Sequence, residues 1–71
     1  MPRPQYLVIP REGGWMLRSG PVPLRLFPTK QGALSAAVRL ASRSRPSELV
    51  IRGRDGAIQD RRLYEAAPAA N

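Results

Sequence analysis

Between positions 29 and 45 the apolar residues Ala33, Leu34, Ala36, Ala37, Val38, Leu40 and Ala41 recur at helical spacing, with Ser35, Arg39, Ser42 and Arg43 on the opposite side. This predicts one amphipathic helix of about four turns. Thr29 stands where an N-cap belongs, its hydroxyl able to accept from a free amide of the first turn, a contact worth about 1 kcal/mol. Gly32 weakens that first turn, so the helix depends on packing its alanine-rich side against something else. The segments 6–9, 15–18, 24–27, 49–52 and 57–64 are short, rich in β-branched and aromatic residues, and separated by Gly and Pro, which predicts five strands. The expected fold is α+β in the order βββαββ, with the helix packed on an antiparallel sheet of about five strands.

Residues 1–4, with two prolines, read as a loose arm, 5–64 as a single αβ domain, and 65–71 as a flexible tail. The run Tyr6, Leu7, Val8, Ile9 is apolar on both faces, as in a strand at the middle of a sheet, and Pro10 is expected to end it. Alternation sends Trp15 and Leu17 to one face of the second strand, and Met16 and Arg18 to the other. Trp15 is therefore expected to pack beneath the helix. In the third strand, Leu24 and Leu26 share a face, with Arg25 and Phe27 on the reverse. The turn Gly53-Arg54-Asp55-Gly56 fits a type I turn followed by a positive-φ glycine. The register of the hairpin it closes stays open: Ile51 falls opposite Gln59 with a bulge, or opposite Ile58 with a tighter loop.

Charge changes the picture more than length does. Twelve basic residues, eleven of them arginine, face five carboxylates, for a formal charge of +7 on 71 residues. Such a density attracts polyanions, and nucleic acid is the first partner to consider. The arginine excess also reads as a coding bias, since Ala, Pro and Gly are abundant too. There is no His and no Cys, which removes disulfides and imidazole or thiolate metal sites, and leaves little for acid, base or nucleophilic catalysis. A non-enzymatic protein with no cofactor and no small-molecule substrate is expected. The longest apolar run is far too short to span a bilayer, and no signal-peptide pattern follows Met1, so a soluble cytoplasmic protein is expected.

The order Gly14-Trp15, Phe27-x-Thr29-Lys30, the Ala-rich helix, Glu48-Leu49-Val50-Ile51-x-Gly53-Arg54-Asp55-Gly56-x-Ile58 and Tyr64 resembles a family of small bacterial proteins of unknown function, numbered 2188 among such domains. The resemblance runs from about Tyr6 to Tyr64, its most specific part being the Gly-Arg-Asp-Gly-x-Ile run. Gly32 and Ala57 depart from the pattern, which usually has an acidic and a basic residue there. It implies a compact αβ fold and a bacterial or phage origin, and transfers no catalytic residue.

If the helix shields only the Trp15 and Leu17 side of the sheet, the reverse carries Met16, Arg18, Arg25, Phe27 and Arg52. One reading makes this face a platform for single-stranded nucleic acid, with Arg18, Arg25, Arg52 and Arg54 on phosphates and Phe27 stacked on a base. The alternative makes it a homodimer or protein interface through Met16, Phe27 and Val50, the charge being incidental. Arg39, Arg43 and Arg45 on the helix exterior read first as a solvated face and second as a phosphate-tracking stripe.

Overall fold

A computed structural model describes residues 3–66. Its elements follow the expected order: β1 (Gln5–Arg11), β2 (Gly14–Ser19), β3 (Val22–Phe27), α1 (Lys30–Arg43), β4 (Ser47–Arg52) and β5 (Ile58–Tyr64). Residues 1–2 of the expected arm and 67–71 of the expected tail lie outside the described residues. Pro4, also assigned to the arm, accepts at its carbonyl from the Glu48 amide at 2.9 Å.

The five strands form one sheet in the order β3-β2-β1-β4-β5, with β1 at its centre. The sheet is mixed rather than antiparallel, because β1 and β4 run parallel, Tyr6 facing Leu49 and Val8 facing Ile51. The connectivity explains why. Two hairpin reversals leave β3 pointing the same way as β1, and α1 carries the chain back across one face, so β4 starts at the end where β1 starts. Pro10 does not end β1. It pairs with Trp15 beyond the last β1–β4 partners, where its missing donor costs the ladder nothing on that side.

The helix begins as expected, with the Gly32 amide donating to Thr29 Oγ1 at 3.1 Å. Ala33, Ala37 and Ala41, at successive i+4 positions, are all fully buried. This line of methyl groups lets α1 lie close to the sheet, over Tyr6, Val8, Trp15, Leu17, Leu49 and Ile51, which form the core with it. At the far end the Ser47 hydroxyl, fully buried, donates to the Ala41 carbonyl at 2.8 Å and ties β4 to the last turn. The footprint of α1 covers β1, β2, β4 and β3 and hardly reaches β5, whose residues are exposed apart from half-buried Tyr64.

Both outer hairpins contain a bulge, and each moves side chains from where alternation put them. In β3, Trp15 faces Phe27 and Leu17 faces Arg25, while Arg18 faces Pro23, so Leu24 is the extra residue. Arg25 and Phe27 therefore lie on the helix side, and Leu26 on the reverse with Met16. The expected loop 19–23 shrinks to a turn at Gly20, and Pro23 is tolerated because β3 is an edge strand. In β5, Ile51 faces Asp60 and Arg52 faces Ile58, leaving Gln59 as the extra residue; neither register expected for this hairpin is adopted. The turn itself matches expectation: the Gly56 amide donates to the Gly53 carbonyl at 2.9 Å, with Gly56 at φ 85°.

A basic groove between the helix and the third strand

The residues proposed from sequence do not form one surface. Arg18 and Arg52 lie on the helix-free face, as expected, each half-buried. Arg25 and Phe27 are on the opposite side, against the helix. Arg54 belongs to the turn at one end of the sheet, its guanidinium 5.8 Å from the centre of the Trp15 ring, which the Lys30 ammonium also approaches, at 5.4 Å. The interface set is likewise divided. Met16 is half-buried on the free face, Phe27 is on the helix side, and Val50 is only 2% exposed, enclosed by its strand neighbours Leu7 and Arg61. A single sheet-face site built on these residues is therefore not present: the β3 register turns Arg25 and Phe27 to the helix side, Arg54 lies in a turn, and Val50 is buried.

The register change builds something else. Moving Arg25 and Phe27 to the helix side sets them beside the flank of α1 that carries Ala36, Arg39, Leu40 and Arg43. These residues, with Leu17 and Leu24, line a groove of about 330 Å³ between α1 and β3. Its floor is apolar, and three guanidinium groups stand around it. Arg25 lies 5.2 Å from the centre of the Phe27 ring, an edge of aromatic surface held next to a cation. Phe27 itself fills the space under the first helical turn. A Cβ on Gly32 would meet that ring at 3.5 Å, an ordinary packing distance, and would crowd Thr29 Oγ1 at 3.2 Å, so the residue that weakens the turn also leaves space for the N-cap hydroxyl.

No carboxylate belongs to the groove. The ion pairs among the described residues both involve β5: Arg61 with Glu48 of β4 at 2.8 Å, and Arg62 with Asp60 within the strand at 2.9 Å. The hydrogen bond from Arg62 holds the Asp60 carboxyl below its ordinary pKa, and Arg62 is raised in return, with Tyr64 as a second partner. Helix α1 contains no acidic residue, and Arg39 and Arg43 are four apart on one face, a like-charge spacing that costs a helix a few tenths of a kcal/mol. Arg43, in the last turn, recovers part of this from the helix dipole. On the free face, Arg18 Nε is shielded from solvent and has no hydrogen-bond partner. A second depression, of about 770 Å³, borders the other flank of α1 at Lys30, Gln31, Leu34, Ser35 and Val38, and carries a single cation.

The i,i+4 pair Arg39 and Arg43 was visible in the sequence as a helix stripe; that Arg25 and Phe27 would join it was not. Among the described residues no three potential metal ligands cluster, and no helix is long and apolar enough to cross a membrane. Fold and groove together describe a small α+β protein with one helix on a five-stranded mixed sheet and a cationic cleft along one edge. The chain belongs to a family described as an uncharacterized protein conserved in bacteria (DUF2188), whose model matches residues 6–64, nearly the whole described region. No curated protein and no solved structure matches it.

Proposed function

We propose that this is a cytoplasmic, non-enzymatic bacterial protein that binds single-stranded nucleic acid without sequence preference, and that the α1–β3 groove is its principal contact. One observation carries the reading: Arg25, Arg39 and Arg43 converge from two elements on one apolar-floored groove, with no carboxylate among its lining residues. Guanidinium groups in that setting engage phosphate through paired N–H donors, and the floor of Leu24, Phe27 and Leu40 offers apolar surface to a base. Such contacts recognise a polyanion and leave sequence largely unread. The chemistry left for catalysis is slight: the chain has no His or Cys, and Glu48 and Asp60 are committed to ion pairs.

The test compares two triple variants that lose the same charge. Arg25→Ser/Arg39→Ser/Arg43→Ser empties the groove, while Arg18→Ser/Arg52→Ser/Arg54→Ser removes the free-face and turn arginines. Titration of a fluorescent single-stranded DNA at low salt is expected to show micromolar binding by the wild type, loss in the groove variant and retention in the other. Absence of binding by the folded wild type defeats the reading, and equal losses in the two variants defeat the assignment to the groove.

A further inference from the structure

The two edges of the sheet differ in what they offer another strand. β3 contains Pro23, which has no amide to donate, and the bulged Leu24. β5 has no Pro or Gly in its seven residues, and its one irregularity, at Gln59, sits near its start and leaves Asp60–Tyr64 regular. The outer amides and carbonyls of that stretch face away from β4, and one of them, the Arg61 amide, donates to Asp60 Oδ1 at 2.9 Å, a local bond that a pairing strand would displace. The charges of the stretch would repel most strands.

We propose that β5 is where two copies of this chain associate, pairing antiparallel about Arg61 so that the sheets join into one of ten strands. Strand geometry limits the choices. Residues directly opposite in an antiparallel ladder are both hydrogen-bonded or both not, so in a self-pairing edge only positions of equal parity can meet. Three such registers centre within the charged stretch. Centring on Asp60 sets carboxylate against carboxylate, and centring on Arg62 sets guanidinium against guanidinium with nothing opposite Asp60 but the partner's Tyr64. Centring on Arg61 sets Asp60 opposite the partner's Arg62, twice. The central Arg61 pair is the one like-charge contact, and each Arg61 is already bound at 2.8 Å to Glu48, diagonal to it on β4, so each guanidinium brings its own counter-charge to that contact. The charges that guard this edge against other strands thus complement a second copy in one of these three alignments. This association stands independently of what the groove binds.

The experiment is sedimentation velocity on the full chain and its variants. The wild type is expected to form a dimer in micromolar solution. Asp60→Arg and Arg62→Asp alone each turn two attractive cross-strand pairs repulsive and are expected to weaken association about tenfold or more. Mixed together, they restore both pairs across the interface, while the 60–62 pair within each chain stays like-charged, so a heterodimer is expected from two monomeric parents. Circular dichroism checks that each variant is folded. A wild type that stays monomeric, single variants that remain dimeric, or folded variants whose mixture stays monomeric would each overturn the proposal.

Discussion

Replacing the three groove arginines gives a number that the structure sets in advance. Each phosphate neutralised on a single strand releases counterions and adds about −0.7 to the slope of log K against log salt. Three arginines each holding one phosphate contribute a slope of about −2.1, so Arg25→Ser/Arg39→Ser/Arg43→Ser flattens the dependence by about 2. Between 50 and 200 mM salt, a fourfold change, that share of the affinity falls by about 18-fold in the wild type and is missing in the variant. Fluorescence anisotropy with a labelled oligonucleotide at four or five salt concentrations measures both slopes. The variant with Ser at 18, 52 and 54 loses the same charge, so long-range attraction changes alike in both and only direct contacts separate them. A difference in slope below about 0.7, less than one phosphate, would refute the groove as the place where phosphates bind.

Stability predictions follow from the packing. Ala37→Leu puts three more heavy atoms between a fully buried helix position and the sheet. It is expected to cost about 1–3 kcal/mol and to lower the melting temperature by roughly 5–20 °C in calorimetry. Gly14→Ala drives a Cβ into the Phe27 carbonyl and must open the β2–β3 ladder, whereas Gly13→Ala meets no atom and strains only a φ of 85°. Urea unfolding should therefore show a cost of about 1 kcal/mol at Gly13 and several times that at Gly14, and equal costs would contradict the close approach. Asp60, held below its ordinary pKa first by the Arg62 hydrogen bond, binds its proton more weakly folded than unfolded. The stabilisation is complete above the ordinary value of 3.8 and lost as pH falls through the lowered one. The melting-temperature gap between wild type and Asp60→Asn should accordingly be present at neutral pH and close in acid.

Local features were the legible part of this chain. The alanine stripe, the Thr29 cap and the Gly53–Gly56 turn each depend on neighbours within a few residues, and the structure has all three. The four-residue apolar run of β1 announced a central strand, yet it could not say that β4 would join from the parallel side, because that depends on where the helix deposits the chain. β3 defeated the reading for another reason. Leu24-Arg25-Leu26-Phe27 has a large apolar residue on either face, so alternation cannot rank the registers. The choice falls to long-range fit: Phe27 fills the space under Gly32, and Gly14 admits the Phe27 backbone. An error of one face there divided the expected site and hid the groove that replaced it.

The groove and the β5 edge lie at opposite ends of the sheet, and this has consequences for how a long polyanion would be held. In an antiparallel pairing of β5 with itself, the two-fold axis stands perpendicular to the sheet, so both helices and both grooves occupy the same side. From β3 to the partner's β3 there are nine strand intervals, about 43 Å at 4.8 Å each before twist shortens it. A strand long enough to cross that distance would engage both grooves, and its second contact would be intramolecular, at an effective concentration that reaches millimolar when the spans match. An oligonucleotide too short to bridge gains nothing from the pairing. Asp60→Arg, which leaves the groove untouched, should therefore weaken binding of long single strands tenfold or more while leaving short ones within a factor of about two. Equal weakening at both lengths would trace the loss to the groove itself or to the fold, and no weakening at either would mean that each groove works alone.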